Sequence, residues 1–218
     1  GIYHESSGEY ADNPYRYAFF CRAAMQLAKD LNFQPDIIHT NDWQTGFIPY
    51  YLKCGEDAFF WGTRSVITIH NIGYQGNFDT SVLDYAKIYP QDFNAGAFES
   101  FGRLNILKGG IAFADKITTV SPTYAHEIMG PIGSGGLHDL LRSRSADLCG
   151  ILNGIDTKVW NPATDKLIPK QYDIKTYKAG KKANKKALQK MFDLNDAPNV
   201  PLFGFIGKRG VFLCLFAG

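Results

Sequence analysis

Short apolar runs rich in β-branched residues recur along the whole chain, and they restrict its possible folds more than any other feature. Five of them stand out, at residues 36–40, 66–70, 116–120, 148–152 and 202–206. Each is about five residues long and lacks the strict alternation of a half-exposed strand. Near-continuous apolar runs of this length are typical of strands that are buried on both faces of a parallel sheet.

Stretches with helical spacing separate these runs. Residues 14–29 begin with a proline, which the first turn of a helix tolerates, and place their apolar side chains on one side of a helix. Residues 103–114 are predicted to be helical, and Ser121 is predicted to cap a short helix that ends near residue 128. Alternating strands and helices imply right-handed crossovers. The sequence therefore predicts an α/β fold with a doubly wound parallel sheet covered on both sides.

The composition excludes several other classes of protein. Of 218 residues, 45% are hydrophobic and 20% are charged, which is typical of a globular protein. The net charge of +2 argues against a nucleic-acid partner, and no apolar run approaches the length of a membrane span. The four cysteines are scattered singly, which suits reduced thiols in a cytoplasm-like compartment and predicts no zinc site.

The chain is expected to contain three parts. Residues 1–165 are predicted to be most of one domain, residues 166–200 a lysine-rich helical linker, and residues 201–218 the first strand of a second domain. The linker helix is predicted to begin near Asp173, with its apolar residues on one face, namely Leu188, Met191 and Phe192. A solvated connector is favoured for this segment over a surface that binds a polyanion.

Several common catalytic motifs are missing from the sequence. It contains no GxSxG, GxxxxGK[ST], HExxH or Asp-x-Asp pattern, so a serine hydrolase, a phosphate-binding P-loop and a metal site are not predicted. The glycine-rich residues 133–136 do not continue as GxGxxG, because His138 stands at the last position. A mobile surface loop is the favoured interpretation of these glycines.

Polar residues follow three of the predicted strands. They occupy residues 41–46, 70–76 and 153–156, and glycines are interspersed among them. In open parallel sheets, ligands bind at the carboxyl ends of the strands because the loops converge there. Amides and carboxylates suit paired hydrogen bonds to sugar hydroxyls, and aromatic rings suit the apolar face of a pyranose. These loops are the candidate binding site.

Each of these residues also has a structural interpretation. Asp42 could cap a helix, His70 could be a structural histidine at the end of a strand, and Asn153 could belong to a simple turn. Trp43 and Tyr74 are, by residue type, more often core residues than sugar platforms. The convergence of the three loops on one edge of one sheet favours the functional interpretation.

Four blocks of sequence, in the same order, closely resemble bacterial glycogen synthase and plant starch synthase. The resemblance extends from about residue 8 to residue 207. The blocks are residues 35–46 (PDIIHTNDWQTG), 66–76 (VITIHNIGYQG), 107–124 (LKGGIAFADKITTVSPTY) and 151–162 (ILNGIDTKVWNP).

This resemblance implies a fold, an activity and roles for particular residues. The family has two Rossmann-like domains facing each other across a cleft, the GT-B architecture. It transfers glucose from ADP-glucose to the non-reducing 4-hydroxyl of an α-1,4-glucan with retention and without a metal or other cofactor. His70 resembles the histidine that holds the donor glucose near its 6-hydroxyl, and Asp42 the carboxylate beside the reacting sugar. By the same resemblance, the sugar pocket is lined by Asn71, Tyr74, Gln75 and Asn153.

The sequence departs from the family pattern at both ends. No Lys-x-Gly-Gly-Leu loop, which meets the donor phosphates, precedes Gly1. After Gly207 the family continues with Arg-Leu and then Gln-Lys-Gly, whereas here Lys208 stands at the arginine position as the candidate donor-binding residue. The domain is therefore expected to be truncated at both ends, with residues 208–218 explained by a deletion or frameshift. The isolated chain is predicted to be inactive, because it lacks the groups that neutralise the diphosphate.

Two alternatives remain beside a fragment of an ADP-glucose-dependent synthase. One is a related GT-B transferase that uses UDP-glucose, because the sequence does not include the part of the family that holds the base. The other is a non-catalytic protein that binds α-glucan. The expected compartment is the bacterial cytoplasm, with a plastid as the alternative for a plant or algal source.

Overall fold

The computed structural model describes residues 4–5, 8–55, 57–207 and 210–215, with side chains for residues 10–55 and 57–204. The chain divides into two compact units, residues 1–153 and residues 154–218. In chain order, the strands of the first unit are β1 (His4–Glu5), β2 (Gly8–Glu9), β3 (Ile37–Asn41), β4 (Arg64–Ile69), β5 (Asn77–Phe78), β6 (Glu99–Ser100), β7 (Arg103–Asn105), β8 (Lys116–Thr119) and β9 (Leu148–Gly150). Its α-helices are α1 (Asn13–Asp30), α2 (Phe47–Cys54), α3 (Ile106–Phe113), α4 (Pro122–Ile128) and α5 (His138–Ser143).

The centre of the first unit is a parallel sheet. Among the described residues it has four strands, in the order β3-β4-β8-β9, and every neighbouring pair is parallel. Strands β5, β7 and β6 form a small antiparallel sheet, and β1 pairs with β2. The four apolar runs predicted to be strands in this unit all contribute to the parallel sheet, which confirms the α/β fold.

The two faces of the parallel sheet differ in burial. Thr40, Ile67 and Ile117 are paired in register on one face, and each is almost completely buried. On the opposite face the Ile37 side chain is 59% exposed and Cys149 is also exposed. The apolar runs predicted burial on both faces. The four strands follow one another across the sheet in chain order, so right-handed connections between them lie on one face, and Ile37 and Cys149 on the other face meet solvent.

The core beside the buried face is built around aromatic rings. The fully buried Phe98 packs edge-on against Tyr50, with ring centroids 5.1 Å apart, and its ring also meets that of Phe113 at 5.8 Å. Helix α3 can approach this cluster because Gly109 faces Phe98. A Cβ atom at Gly109 would stand only 1.9 Å from the ring.

The segment predicted as one helix over residues 103–114 begins as a strand. Residues 103–105 form β7, which pairs with β6 through a turn at Phe101 and Gly102, whose φ angles are 52° and 74°. The helix starts only after Asn105, whose side-chain oxygen accepts a hydrogen bond from Lys108 N at 2.9 Å. The apolar pattern is shared by the strand and the helix, so the boundary is set by this cap rather than by the pattern.

A single arginine satisfies the other end of α3. The Arg144 guanidinium donates to the carbonyl oxygens of Ile111 and Ala112 at 2.7 and 2.8 Å, and to that of Ala114 at 2.5 Å. The last carbonyls of a helix lack partners within the helix, and a cation there also interacts favourably with the helix dipole. An ion pair between Arg144 and Asp147, at 3.1 Å, holds the guanidinium in place.

The second unit contains helix α6 (Tyr177–Met191) and the antiparallel strands β10 (Leu202–Gly207) and β11 (Gly210–Leu215). The helix begins later than the predicted Asp173, because the Asp173 side chain accepts hydrogen bonds from the backbone of Lys175 and Thr176 and forms a turn first. The strand predicted at residues 202–206 is present.

The lysine-rich helix α6 is largely exposed to solvent. Leu188 and Met191 are 39% and 73% exposed. Lys186 forms an ion pair with Asp196 at 2.7 Å, and Lys185 Nζ donates to the carbonyl of Ala197 at 3.1 Å. In the part of the chain that the structure describes, no helix has both the length and the apolar character needed to cross a membrane.

Candidate functional site

The candidate site lies at the carboxyl edge of the parallel sheet. The loop after β3 starts at Asp42, and the loop after β4 starts at His70. Because β3 and β4 are parallel neighbours, with Asn41 opposite Thr68, these two loops leave the sheet side by side. The structure therefore brings together the two residues that were predicted to be catalytic.

Asp42 has an unusual backbone conformation. Its φ is 55° and its ψ is −171°, a region in which side chains other than glycine are rarely found. Its N–H donates to the Thr68 carbonyl at 2.9 Å, and its Oδ1 accepts a hydrogen bond from His70 N at 2.8 Å. Asp42 makes no side-chain cap to the following turn of 3₁₀ helix. Backbone strain of this kind costs about 1–3 kcal/mol and is concentrated at functional sites.

The His70 ring is held by a residue that the sequence analysis did not single out. His70 Nε2 lies 2.9 Å from Asn41 Oδ1. Asn41 is itself fixed by Thr45, whose hydroxyl accepts from Asn41 N at 2.7 Å and donates to Asn41 O at 2.8 Å. The only sequence signal for Asn41 was its place directly before Asp42 in a loop of polar residues.

The loop after His70 is anchored by hydrogen bonds on both sides. Asn71 Oδ1 accepts from Gly73 N at 2.9 Å and closes a tight turn. The Ile72 N–H donates to the hydroxyl of Tyr124, at 3.0 Å, on helix α4. Tyr74 is 64% exposed, so it does not belong to the core and its ring is available to a ligand. Trp43, in contrast, is 3% exposed and belongs to the core.

Gln75 lies behind this loop and uses both ends of its amide within the protein. Gln75 Nε2 donates to the carbonyls of Ile72 and Gly135, each at 3.0 Å, and Gln75 Oε1 accepts from Asn105 Nδ2 at 2.6 Å. The residue is 8% exposed. These contacts give Gln75 a supporting position, and the direct contact with sugar expected from the sequence remains a prediction.

The glycine-rich residues 133–136 are attached to the site instead of lying free on the surface. Ser134 is completely buried, and its hydroxyl accepts a hydrogen bond from Gly136 N at 3.2 Å and lies 3.2 Å from His138 Nδ1. Together with the bond from Gln75 to Gly135, these contacts fix the loop beside residues 71–75. The expectation of a loosely held surface loop is therefore not met.

Asn153 is the remaining predicted site residue within the described part of the chain, and no hydrogen bond joins it to this group. Asn153 is exposed and follows β9, which lies two strands away from β4 at the same edge of the sheet. The backbone just before it continues the ladder, since Ile151 N donates to Thr119 O at 2.7 Å. Lys208 lies outside the described residues. Ligand contacts by Asn153 and Lys208 stay predictions.

The site presents oxygen and nitrogen groups to solvent beside a ring. Asp42 provides a carboxylate, His70 an imidazole, and Tyr74 an exposed aromatic face. Within the described residues, no three histidine, cysteine, aspartate or glutamate side chains are grouped so that they could hold a metal ion. The chemistry of these groups suits the recognition and orientation of a ligand rich in hydroxyl groups.

Comparisons with known proteins identify the family. Residues 1–143 match the family described as the starch synthase catalytic domain. Glycogen synthase 2 of Geobacter metallireducens is 45% identical over 209 residues, which are 95% of this chain and 43% of that protein. A glycogen synthase of Geotalea daltonii is 46% identical over 209 residues, with the same coverage of 95% and 43%. The chain thus spans less than half the length of the relatives it matches.

A solved structure matches the fold over most of the chain. The catalytic domain of starch synthase IV from Arabidopsis thaliana, bound to ADP and acarbose, superposes with a TM-score of 0.72 at 39% sequence identity. The match covers 90% of this chain and 40% of that one. It confirms the prediction that the fold is that of a GT-B glycosyltransferase catalytic domain.

Proposed function

The chain belongs to the starch synthase catalytic domain family, and from this premise we propose that it carries the sugar-binding half of an α-glucan synthase. The reaction is transfer of glucose from ADP-glucose to the non-reducing 4-hydroxyl of an α-1,4-glucan, with retention at the anomeric carbon. The proposed donor and acceptor agree in kind with the ADP and acarbose bound to the starch synthase IV domain.

The observation that carries this proposal is the hydrogen bond from His70 N to Asp42 Oδ1, at 2.8 Å, made by a strained aspartate. In this conformation the carboxylate accepts a hydrogen bond from the backbone N–H of His70 at the end of β4. Neither residue is buried in the core, so the energy held there is not explained by packing. A site that orients a ligand explains it.

In this proposal the residues act by position and charge. The negative Asp42 stabilises the positive charge that develops at the anomeric carbon, and His70 holds a hydroxyl of the donor glucose. Asn71 and Tyr74 line the same pocket, and Asn153 approaches it from the end of β9. Glycosyl transfer also requires that water be kept out, which a second facing domain would accomplish.

The proposed organisation places the sugar site in residues 1–165, a helical linker in residues 166–200 and the start of the facing domain in residues 201–218. The role that we propose for Lys208 in donor binding rests on its position directly after Gly207 in the sequence. We place the protein in the bacterial cytoplasm, which is supported by the bacterial source of its relatives and by cysteines that are scattered singly along the sequence.

The proposal is tested by titrating the ¹⁵N-labelled chain with ADP-glucose and with maltoheptaose while recording amide chemical shifts. We expect shifts concentrated at residues 41–42 and 70–75, and their loss in Asp42→Asn. Asp84→Asn, which changes an exposed carboxylate elsewhere, is the matched control and should bind like the wild type. The proposal would be overturned if neither ADP-glucose nor maltoheptaose produced shifts at this site.

The same titration separates the alternatives. Shifts with maltoheptaose but none with ADP-glucose would favour a protein that only binds glucan. Equal responses to ADP-glucose and UDP-glucose would mean that this site does not distinguish the two bases. Selectivity for the base would then lie in the other half of the family architecture. We further expect the 218-residue chain to transfer no glucose from ADP-glucose to glycogen, and measurable incorporation of radiolabelled glucose would contradict that expectation.

A further inference from the structure

Two consecutive residues at the end of β3 hold His70 from different sides. The carboxylate of Asp42 accepts from the backbone N–H of His70 at 2.8 Å, and Asn41 Oδ1 lies 2.9 Å from the ring nitrogen Nε2. One residue therefore fixes the main chain of the histidine and the other fixes its ring. Nothing in the proposed reaction requires Asn41 to touch a substrate.

The chemistry of the amide determines the state of the ring. An amide oxygen accepts hydrogen bonds and does not donate them, so the proton of a neutral His70 ring must lie on Nε2. The other ring nitrogen, Nδ1, then carries a lone pair and is an acceptor. The reciprocal hydrogen bonds between Asn41 and Thr45 hold the backbone of the asparagine and so limit the movement of its side chain.

We propose that Asn41 is a positioning residue that fixes the His70 ring with Nε2 donating, so that Nδ1 accepts a hydrogen bond from a ligand hydroxyl. This inference rests on the proposed function for the identity of the ligand, a glucosyl group whose 6-hydroxyl lies next to His70, as the family resemblance implies. It also determines which hydrogen-bonding groups the site offers to a ligand. His70 Nδ1 and Asp42 Oδ2, neither of which has a partner among the described residues, are both acceptors, so a ligand must donate to them.

The strength of the effect follows from the exposure of the pair. Asn41 and His70 are both exposed, so their hydrogen bond competes with water and its net contribution is that of an ordinary neutral pair. Loss of the bond should therefore weaken the binding of a ligand that uses Nδ1 by about three- to tenfold. A ligand that lacks the relevant hydroxyl should not be affected.

The first experiment reads the ring directly. Long-range ¹H–¹⁵N spectra of the histidine-labelled chain distinguish a protonated from an unprotonated ring nitrogen. We expect Nε2 to be protonated and Nδ1 unprotonated in the wild type, and a mixture of the two forms in Asn41→Leu, which keeps the size of the side chain but has no acceptor. Asn41→Asp retains an oxygen acceptor at the same place and should restore the wild-type form when the spectra are recorded at alkaline pH, which keeps the imidazole neutral beside the new carboxylate.

The second experiment links the ring to the ligand. Dissociation constants for ADP-glucose and for its 6-deoxyglucose analogue are measured by amide-shift titration of the wild type, Asn41→Leu and Asn41→Asp. The expected result is a three- to tenfold loss for ADP-glucose in Asn41→Leu, no change for the 6-deoxy analogue, and recovery in Asn41→Asp. Amide shifts far from the site serve as the control for folding.

The outcomes separate this inference from the proposed function. An unprotonated Nε2 in the wild type would overturn the inference, because Asn41 would then be donating through its nitrogen. Equal losses for both ligands, or no loss for either, would also overturn it and would leave the proposed function standing if the wild type binds ADP-glucose. If the wild type does not bind ADP-glucose, the proposed function fails and the ring spectra still decide the role of Asn41.

Discussion

Gln75 and Gly135 approach each other so closely that a side chain at position 135 would displace the Gln75 amide. Gln75 Nε2 donates to the Gly135 carbonyl at 3.0 Å, and a Cβ atom on Gly135 would stand 2.4 Å from the same nitrogen. The φ of Gly135 is +57°, which also disfavours a side chain. This contact joins the loop after β4 to the glycine-rich residues 133–136, which the sequence does not reveal as neighbours.

Replacing Gln75 by glutamate should destabilise the chain. The variant keeps the size of the side chain but points a carboxylate oxygen at the carbonyls of Ile72 and Gly135, which lose their donor. We expect Gln75→Glu to lower the free energy of unfolding by about 1–3 kcal/mol in urea titrations. Gln91→Glu, at an exposed position, is the matched control. Equal stability of the two variants would show that the amide contacts contribute little.

The two substitutions Asp42→Gly and Asp42→Ala should differ in stability. Both remove the carboxylate and its bond to His70, but only glycine tolerates φ near +55° without strain. Asp42→Gly should therefore be more stable than Asp42→Ala by about 1–3 kcal/mol in urea unfolding. Neither variant should bind ADP-glucose. Identical unfolding midpoints would mean that the backbone at this position is relaxed.

Gly109→Ala should be destabilising although alanine is the better helix former. Alanine at this position in α3 would gain about 1 kcal/mol from helix propensity but would clash with the buried Phe98 ring. We expect a net loss of about 1–3 kcal/mol by thermal or urea unfolding, because the packed core cannot move aside. Gly109→Ala should cost less stability when it is introduced into the Phe98→Leu variant than into the wild type, which is a partial recovery of this loss. No recovery would locate the clash elsewhere.

Arg144 should not be replaceable by lysine. A lysine ammonium is a single point charge and does not reach three carbonyls at the end of α3 with the planar geometry of a guanidinium. We expect Arg144→Lys to lower the free energy of unfolding by about 1–3 kcal/mol. Arg22→Lys, on the exposed side of α1, should change it by less than about 0.5 kcal/mol. A tolerated lysine at both positions would contradict the capping role.

Asp115 should make the stability of the chain sensitive to acid. Burial opposes its ionisation, but hydrogen bonds from the Ser65 N–H and hydroxyl and from Arg64 outweigh burial, and they hold the pKa of Asp115 below its ordinary value. Because the pKa is lower in the folded state, the stabilisation is present at neutral pH. It is lost as the pH falls from about 5 through the folded-state pKa.

The corresponding variant is Asp115→Asn. Between pH 7 and pH 3, urea unfolding should show a smaller loss of stability in this variant than in the wild type. Asp84→Asn, at an exposed position, provides the comparison and should follow the wild type. If Asp115→Asn and the wild type lost the same stability over this range, Asp115 would not be a source of the acid sensitivity.

The sequence predicts the elements with strong periodicity well. The first helix, the strands of the parallel sheet and the helix capped by Ser121 lie within a few residues of their predicted bounds, because each has a local signal in its own residues. The prediction was wrong at residues 103–105, since a strand and a helix follow one another there inside a single apolar stretch. Only the cap at Asn105 separates them, and its side chain could equally have pointed elsewhere.

The site could be predicted in part because two of its residues directly follow strands that have a clear local signal. Asp42 and His70 follow adjacent parallel strands, so the rule that loops converge at one edge of the sheet places them together. Three other features of the site depend on contacts between residues that are 28 to 60 positions apart in the sequence. They are the strain at Asp42, the support of the His70 ring by Asn41 and the support of the loop by Gln75. Such contacts leave no pattern in a single sequence.

The backbone conformation of Asp42 has a consequence for experiments that rank substitutions in bulk. A library scored by abundance or heat resistance should report glycine at this position as well tolerated, whereas the same library scored by ligand capture should report it as lost. The disagreement between the two rankings would mark the position as functional before any ligand was known. Selection of this chain for stability alone would consequently favour glycine at position 42 and remove the carboxylate that we propose orients the ligand.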